Sequence, residues 1–419
     1  MKSFLHRTSI ASGIAVALVA AAAWSDGRED SDRDEHRSST WVTTWAAPVQ
    51  AANATVPPLA TGTTVRQTVW VTVGGDRARV KFTNAMSAAP LTIGGASIGL
   101  KSSGSSVTAT TLRPVTFGGK SSIDVPAQGT VLSDDVELRV PALSDVSISI
   151  YLPAGAGTLT QYPGSRKVTY VFVPPADAPR DATMDVDLAT STTAAVGYFV
   201  SSVEVRARRA RGVVAAVGDS IVAGGGATVE NAKWSDRLAA RLNSLPAPLQ
   251  MGVLGLGIGG NRLLSGATTN PAALARFDRD VLGMAGITHV IMADGINDLG
   301  SVALTNPSGP PNPDDLQYGL RQIVERAHAR GVKVIGTTMG PSWGFRGYEN
   351  IEAKRLAYNQ WMRSEGVKLV DGLIDFDLVL RDPNDPSHMS ALYITDGIHP
   401  NNAGHQAMAD AINLFLLLR

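Results

Sequence analysis

Cysteine is absent from all 419 residues. Without thiols the chain has no disulfide, no thiolate nucleophile, no cysteine-ligated zinc or iron–sulfur cluster, and no lipid-modified N-terminal cysteine. Any covalent nucleophile must therefore be serine, threonine, lysine or a carboxylate. Charge is also sparse: Asp, Glu, Lys and Arg make up 18% of the chain, below the roughly 25% of an average globular protein. The 37 basic and 37 acidic residues cancel to a net charge of +0, so no global field draws the chain to nucleic acid or an anionic membrane. Hydrophobic residues, at 44%, are enough for packed cores and exclude wholesale disorder. The length suggests two domains, at roughly 100–200 residues each.

A long apolar run is missing too. The N-terminus carries Lys2 and Arg7, then an apolar stretch from Ile10 to the small-residue string Ala21-Ala22-Ala23. That stretch is short of the roughly 20 residues a membrane span needs. It reads as a cleaved secretory signal peptide over 1–23 rather than a stable anchor, which places the protein in the periplasm or outside the cell. There is no twin-arginine pair, so the general secretion route is expected. Residues 24–40 are mostly Asp, Glu, Arg and Ser without apolar periodicity and read as a solvated linker.

Two compositional halves follow. From 41 to 205 the pattern has period two. Val65, Gln67, Val69, Val71 and Val73 alternate with Arg66, Thr68, Trp70 and Thr72; Gly74-Gly75 signals a turn; Ala78, Val80 and Phe82 then alternate with Arg79 and Lys81. This predicts a hairpin. Further strands are expected at Val136–Val140, Val146–Leu152, Val168–Val173 and Tyr198–Val205, giving an all-β, sandwich or jelly-roll-like domain. From 212 to 419 apolar runs of strand length alternate with helical stretches. Strands at 213–217, 251–256, 289–293 and 332–337 are followed by helices at 234–245, 271–282, 314–330 and 351–365, and a last helix spans 404–418. The alternation implies βαβ units, an α/β domain with a mostly parallel sheet, and chemistry in the loops beyond the strand ends. The cluster Arg206, Arg208, Arg209 and Arg211 near the boundary reads as a solvated face.

Four strand-end loops carry reactive or donor residues: Gly218-Asp219-Ser220, Gly257-Ile258-Gly259-Gly260-Asn261, Gly295-Ile296-Asn297-Asp298 and Asp396-Gly397-Ile398-His399-Pro400. Singly, each can be an ordinary turn or helix cap. Together they supply one machine. Ser220 can be a nucleophile if a base takes its proton, and His399 can be that base. Asp396, three residues earlier, can hold the imidazole tautomer and stabilise the imidazolium. The backbone N–H groups of Ser220 and Gly260 and the Asn297 amide can face an oxyanion.

These ordered blocks resemble the SGNH hydrolases, also called GDSL esterases and lipases. The namesake residues match as Ser220, Gly260, Asn297 and His399, and Asp396 matches the aspartate of the Asp-x-x-His block. The resemblance covers about residues 213–419. It implies a three-layer α/β/α, flavodoxin-like catalytic domain and hydrolysis of carboxylic esters or thioesters with no cofactor or metal. One departure is Val222, where the family usually places Thr or Ser after Gly-Asp-Ser-Ile. The first half, opening with Thr44-Trp45, is similar to the β domain that precedes the catalytic domain in some secreted bacterial members. The expected activity is that of a serine esterase on short-acyl or acetyl esters. The alternatives are a carbohydrate acetylesterase docked on polysaccharide by the β half, through Trp41, Trp45 and Trp70, or a lysophospholipase or lipase. The partner is thus an ester substrate, free or polymer-bound.

A rival motif overlaps the second block. Gly255-Leu256-Gly257-Ile258-Gly259-Gly260 fits a dinucleotide-binding pattern, with Asp280 about 20 residues on as the ribose ligand. It leaves Ser220, Asn297 and His399 unexplained. The other histidines, among them His289, His328, His388 and His405, lack zinc-site spacing. Asp219 is expected to fix its turn and Asp298 to cap the next helix or brace the Asn297 loop. The charged members of Arg276-Phe277-Asp278-Arg279-Asp280 read as structural. Trp343, Phe345 and Tyr348 are candidates for an acyl or leaving-group pocket.

Overall fold

The computed structural model describes residues 40–419 apart from 163–166, 176–177, 179, 189, 301–310 and 349. The expected signal peptide and all but the last residue of the expected linker lie outside the described residues.

β-branched and alternating residues make the first half strand-rich. Its principal strands are β1 (Thr40–Ala46), β2 (Thr63–Val71), β3 (Ala78–Thr83), β4 (Gly95–Leu100), β5 (Ser144–Leu152), β6 (Thr169–Phe172) and β7 (Val200–Ala207). β2 pairs antiparallel with β5 and β6, and β4 with β5. β3 pairs instead with β7, which also pairs with β1. The expected hairpin is therefore not formed: the chain turns at Gly74-Gly75 but β2 and β3 enter different sheets. A Cβ on Gly75 would sit 2.7 Å from Arg206 O, and one on Gly74 would sit 2.7 Å from Val140 O. The two glycines thus serve close passage between backbones rather than a two-residue turn. The run 136–140 forms only isolated bridges at Val136 and Val140.

β2 also buries both of its faces. Val65, Val69 and Val71 enter the core with Gln67 buried on the same face, while Arg66 and Thr68 on the other side are buried as well. Arg66 is accommodated by Ser149 Oγ at 2.8 Å, Ser105 O at 2.9 Å and Asp185 O at 2.5 Å, which replace the water its guanidinium leaves.

The second half carries β8 (Gly212–Gly218), β9 (Met251–Gly257), β10 (Ile287–Ala293), β11 (Lys333–Thr337) and β12 (Gly372–Ile374), all parallel, in the order β9-β8-β10-β11-β12. The short β12 had no sequence signal of its own. Direction of winding reverses at β8, so the loops after β8 and β10 open a crevice at the carboxyl ends of the strands. Alternate residues of β8 feed two apolar clusters. Val213, Ala215 and Val217 join the one containing Leu316, Leu320 and Ile323 of helix Pro313–His328. Val214 and Ala216 join the one containing Trp234 and Leu238 of helix Trp234–Asn243 and Met408 of helix Asn402–Ala411. The expected C-terminal helix is broken after Ala411 and resumes at Phe415–Leu418.

The two halves share a core. Val42, Val65 and Phe82 belong to the same cluster as Val213 and Leu254, and residues 39–419 form one compact unit. Thr43 exchanges hydrogen bonds with Ala285, and Val253 N on β9 donates to Thr72 Oγ1 at 3.0 Å. The β half thus covers the outer edge of β9, an edge that would otherwise offer unpaired backbone groups.

Candidate active site

Ser220 opens the helix Ser220–Ala223 directly after β8. Asp219 caps that helix, its Oδ1 accepting from Ile221 N at 2.8 Å, in keeping with the expected turn-fixing role. Gly218 has no room for a side chain, since a Cβ would lie 2.0 Å from Ala293 O on the neighbouring strand. The turn after β8 can therefore press against β10 and carry Ser220 beyond the sheet.

The last loop reaches back to it. His399 Nε2 lies 2.8 Å from Ser220 Oγ, and His399 Nδ1 lies 2.7 Å from Asp396 Oδ2. Gly397, at φ 105°, permits the tight turn that places Asp396 and His399 side by side. Asp396 Oδ1 accepts from His399 N at 3.0 Å and Ile398 N at 3.3 Å. Partial burial works to raise this carboxyl, but the His399 and backbone hydrogen bonds outweigh it and hold it below the ordinary value. An ionised Asp396 accepts the Nδ1–H, leaving Nε2 to accept from the serine hydroxyl. The Phe345 ring meets the imidazole edge-on at 5.6 Å.

Gly260, in the loop after β9, has φ 69°, and a Cβ there would meet only Asn270 Nδ2, at 3.7 Å. Its backbone is open to approach. Asn297 lies on the helix Ile296–Leu299 after β10. Its Nδ2 donates to Asn261 O at 2.9 Å and lies 3.4 Å from Asp219 Oδ2, while Tyr348 Oη donates to its Oδ1 at 2.5 Å. The expected site residues thus lie on four loops at one end of the sheet. Asp298 does not cap its helix. It accepts from Leu263 N at 2.8 Å and Leu264 N at 3.0 Å, bracing the loop that carries Gly260.

Other residues shape this end less legibly. Arg276 is fully buried and donates to Leu256 O and Asn261 Oδ1, at 2.9 and 2.7 Å, tying the end of β9 to its loop. Asp280 faces Arg279 at 2.6 Å and Arg276 at 3.6 Å, and the next helix after the glycine-rich loop begins only at Ala273. Those two facts remove the ribose ligand and the helix start that a dinucleotide site requires. Asp294 went unnoticed in the sequence. With Asp219 and Asp298 it forms a buried carboxyl group beneath the site: burial lifts Asp219 and Asp298 to about 6, and raises Asp294 well above the carboxylate range. The only sequence signal was three acidic residues in two adjoining loops.

The aromatic loop divides. Tyr348 is buried against Asn297, Phe345 braces His399, and Trp343 is 41% exposed beside His388. His388 lies by Ser387 and Asp385 in its own loop. Arg206 and Arg208 pair with Asp76, and Arg211 with Leu418 O. Among the described residues no group of three His, Asp or Glu side chains gathers as metal ligands, and no helix is long and apolar enough to cross a membrane.

The GDSL-like Lipase/Acylhydrolase family matches residues 216–407. Similar solved structures include a putative acylhydrolase from Bacteroides fragilis, at 22% identity over 49% of this chain and 88% of that one, with a TM-score of 0.38. A G-D-S-L family lipolytic protein from Desulfitobacterium hafniense is 21% identical over 48% and 96%, with a TM-score of 0.36. An acetyl xylan esterase gives the same identity, coverage and TM-score. No curated protein matches the chain. The four motif blocks at the strand ends all fall within the matched segment, and residues 216–407 are a GDSL-like lipase/acylhydrolase domain.

Proposed function

We propose that the protein is a secreted serine esterase that cleaves short-acyl, chiefly acetyl, esters through an acyl-enzyme on Ser220. An acylhydrolase family implies ester hydrolysis in general; the observation that carries the finer reading is the hydrogen-bonded series Ser220, His399, Asp396 at 2.8 and 2.7 Å. Ser220 Oγ attacks the ester carbonyl as its proton passes to His399 Nε2. The negative oxygen is met by the N–H groups of Ser220 and Gly260 and by the Asn297 amide. His399 returns the proton to the departing alcohol, and a water molecule, deprotonated by the same imidazole, then releases the acid. Asp396 stabilises the imidazolium in both halves of the cycle. Export rests on the leader read at 1–23. Helices packed through apolar clusters on both faces of the parallel sheet, and separate antiparallel sheets sharing one apolar cluster in the first half, support a three-layer catalytic domain at 212–419 and a β-sandwich at 41–205.

Turnover of p-nitrophenyl acetate tests the assignment. Ser220→Ala should lower kcat by at least about a thousandfold while the thermal melt is kept. Undiminished turnover would remove Ser220 from the reaction. Asn297→Ala should lower the rate by roughly 100- to 1000-fold.

A further inference from the structure

A crevice of about 830 Å³, taken out to its open mouth, lies where the β half meets the hydrolase half. One wall is aromatic. Trp45 and Trp70 line it, and Trp45 is steadied by the Tyr162 ring at 5.1 Å, edge-on, whose hydroxyl donates to Gln67. The facing wall is the segment that follows the Ser220 helix, with Val229, Glu230 and Lys233 in it and Asp236 one turn into the next helix.

Charge in the crevice is balanced. Lys167 bridges Asp145 and Glu230, at 3.0 and 2.5 Å, and Lys233 faces Asp236 at 3.7 Å. Burial raises the Asp236 carboxyl, with Lys233 opposing it. Behind the lining, Ser235 Oγ is buried near Gly255 with no hydrogen-bond partner among the described residues. An anion would meet Glu230 and Asp236, a cation the two lysines, and a long acyl chain would have to desolvate all four. Indole rings alongside interleaved donors and acceptors suit a neutral, hydroxyl-rich ligand with apolar C–H faces.

The crevice also reaches the end of the helix that Ser220 opens. Gly224 lines it, and the next residue, Gly225, is so close to the active imidazole that a Cβ would lie 2.6 Å from His399 Cδ2. We propose that this crevice is an oligosaccharide subsite, built jointly by both halves, which holds the sugar chain whose ester reaches Ser220. The substrate is then an O-acylated glycan, and the β half is part of the binding site rather than a separate docking module. This deepens, and rests on, the esterase reading. Binding remote from the reacting carbonyl orients it for attack.

Two measurements on the full chain test this. First, Ser220→Ala is titrated with unesterified xylo-, cello- and manno-hexaose, following tryptophan fluorescence. At least one should bind, and binding should weaken about tenfold or more in Val229→Arg and Asp236→Asn, each built on Ser220→Ala. Val229 is 58% exposed, so its replacement does not threaten the fold. Second, the ratio of kcat/KM for an acetylated oligosaccharide to that for p-nitrophenyl acetate should fall about tenfold in Val229→Arg. No binding of any hexaose, or a ratio and affinity unmoved by both variants, would overturn the subsite. Hexaose binding lost in the variants, with esterase activity undiminished by Ser220→Ala, would uphold the subsite and sink the catalytic reading instead.

Discussion

The phenol of Tyr348 donates to Asn297 Oδ1, and Asn261 O receives Asn297 Nδ2; the amide is thereby held at both ends and cannot flip. Tyr348→Phe keeps the ring that packs on Phe345 and Gly300 and removes only the donor. Since one hydrogen bond contributes about 0.5–1.5 kcal/mol, kcat should fall up to about tenfold with little change in KM. A double-mutant cycle checks the cause: the effect should vanish in an Asn297→Ala background, and an equal loss there would mean Tyr348 acts elsewhere. The sequence pointed to Tyr348 as an aromatic near the site but not to its hydrogen bond. Arg276 was likewise read as structural without its burial being visible. A charged side chain is normally at the surface, and only the folded chain supplies the carbonyl groups of Leu256 and Asn261 that let it be buried.

The helix Ile296–Leu299 is too short to be stable alone, yet it carries Asn297 and pins the Gly260 loop through Asp298. Burial lifts Asp298 to about 6, against about 4 in an unfolded chain. Between those values the folded state holds more proton, so this contribution is complete below about pH 4 and is lost as pH rises through about 6. Asn cannot exchange that proton. In urea melts from about pH 4 to 7, the wild type should therefore lose stability relative to Asp298→Asn. Asp219 and Asp294, in the same buried group, broaden the range. A constant gap across it would show that Asp298 does not titrate there. Elements themselves were legible where periodicity ran long, as in the helices at 234–243 and 313–328. Pairing was not: β2 and β3 carry hairpin signals yet lie in different sheets, because alternation reports which face is buried and is silent about the partner strand.

Residues 40–207 and 212–419 are joined through one apolar cluster and through the covered edge of β9. Expressing 212–419 alone would bare Val213, Leu254 and that edge. The fragment should be insoluble or fail to unfold cooperatively, and a soluble, cooperatively folded monomer would show that the two cores are energetically separate. From the sequence alone came the change of grammar near residue 210, the exclusion of thiol chemistry, and the order and kinds of residues in the four loops, all local properties of composition and spacing. Only the tertiary structure decided that Asp298 braces a loop instead of capping a helix, that three carboxyls are buried together, and that Trp45 and Trp70 line a crevice reaching the end of the Ser220 helix. Those outcomes depend on contacts between residues far apart in the chain, where burial removes water and a polar group must find its partner across the fold.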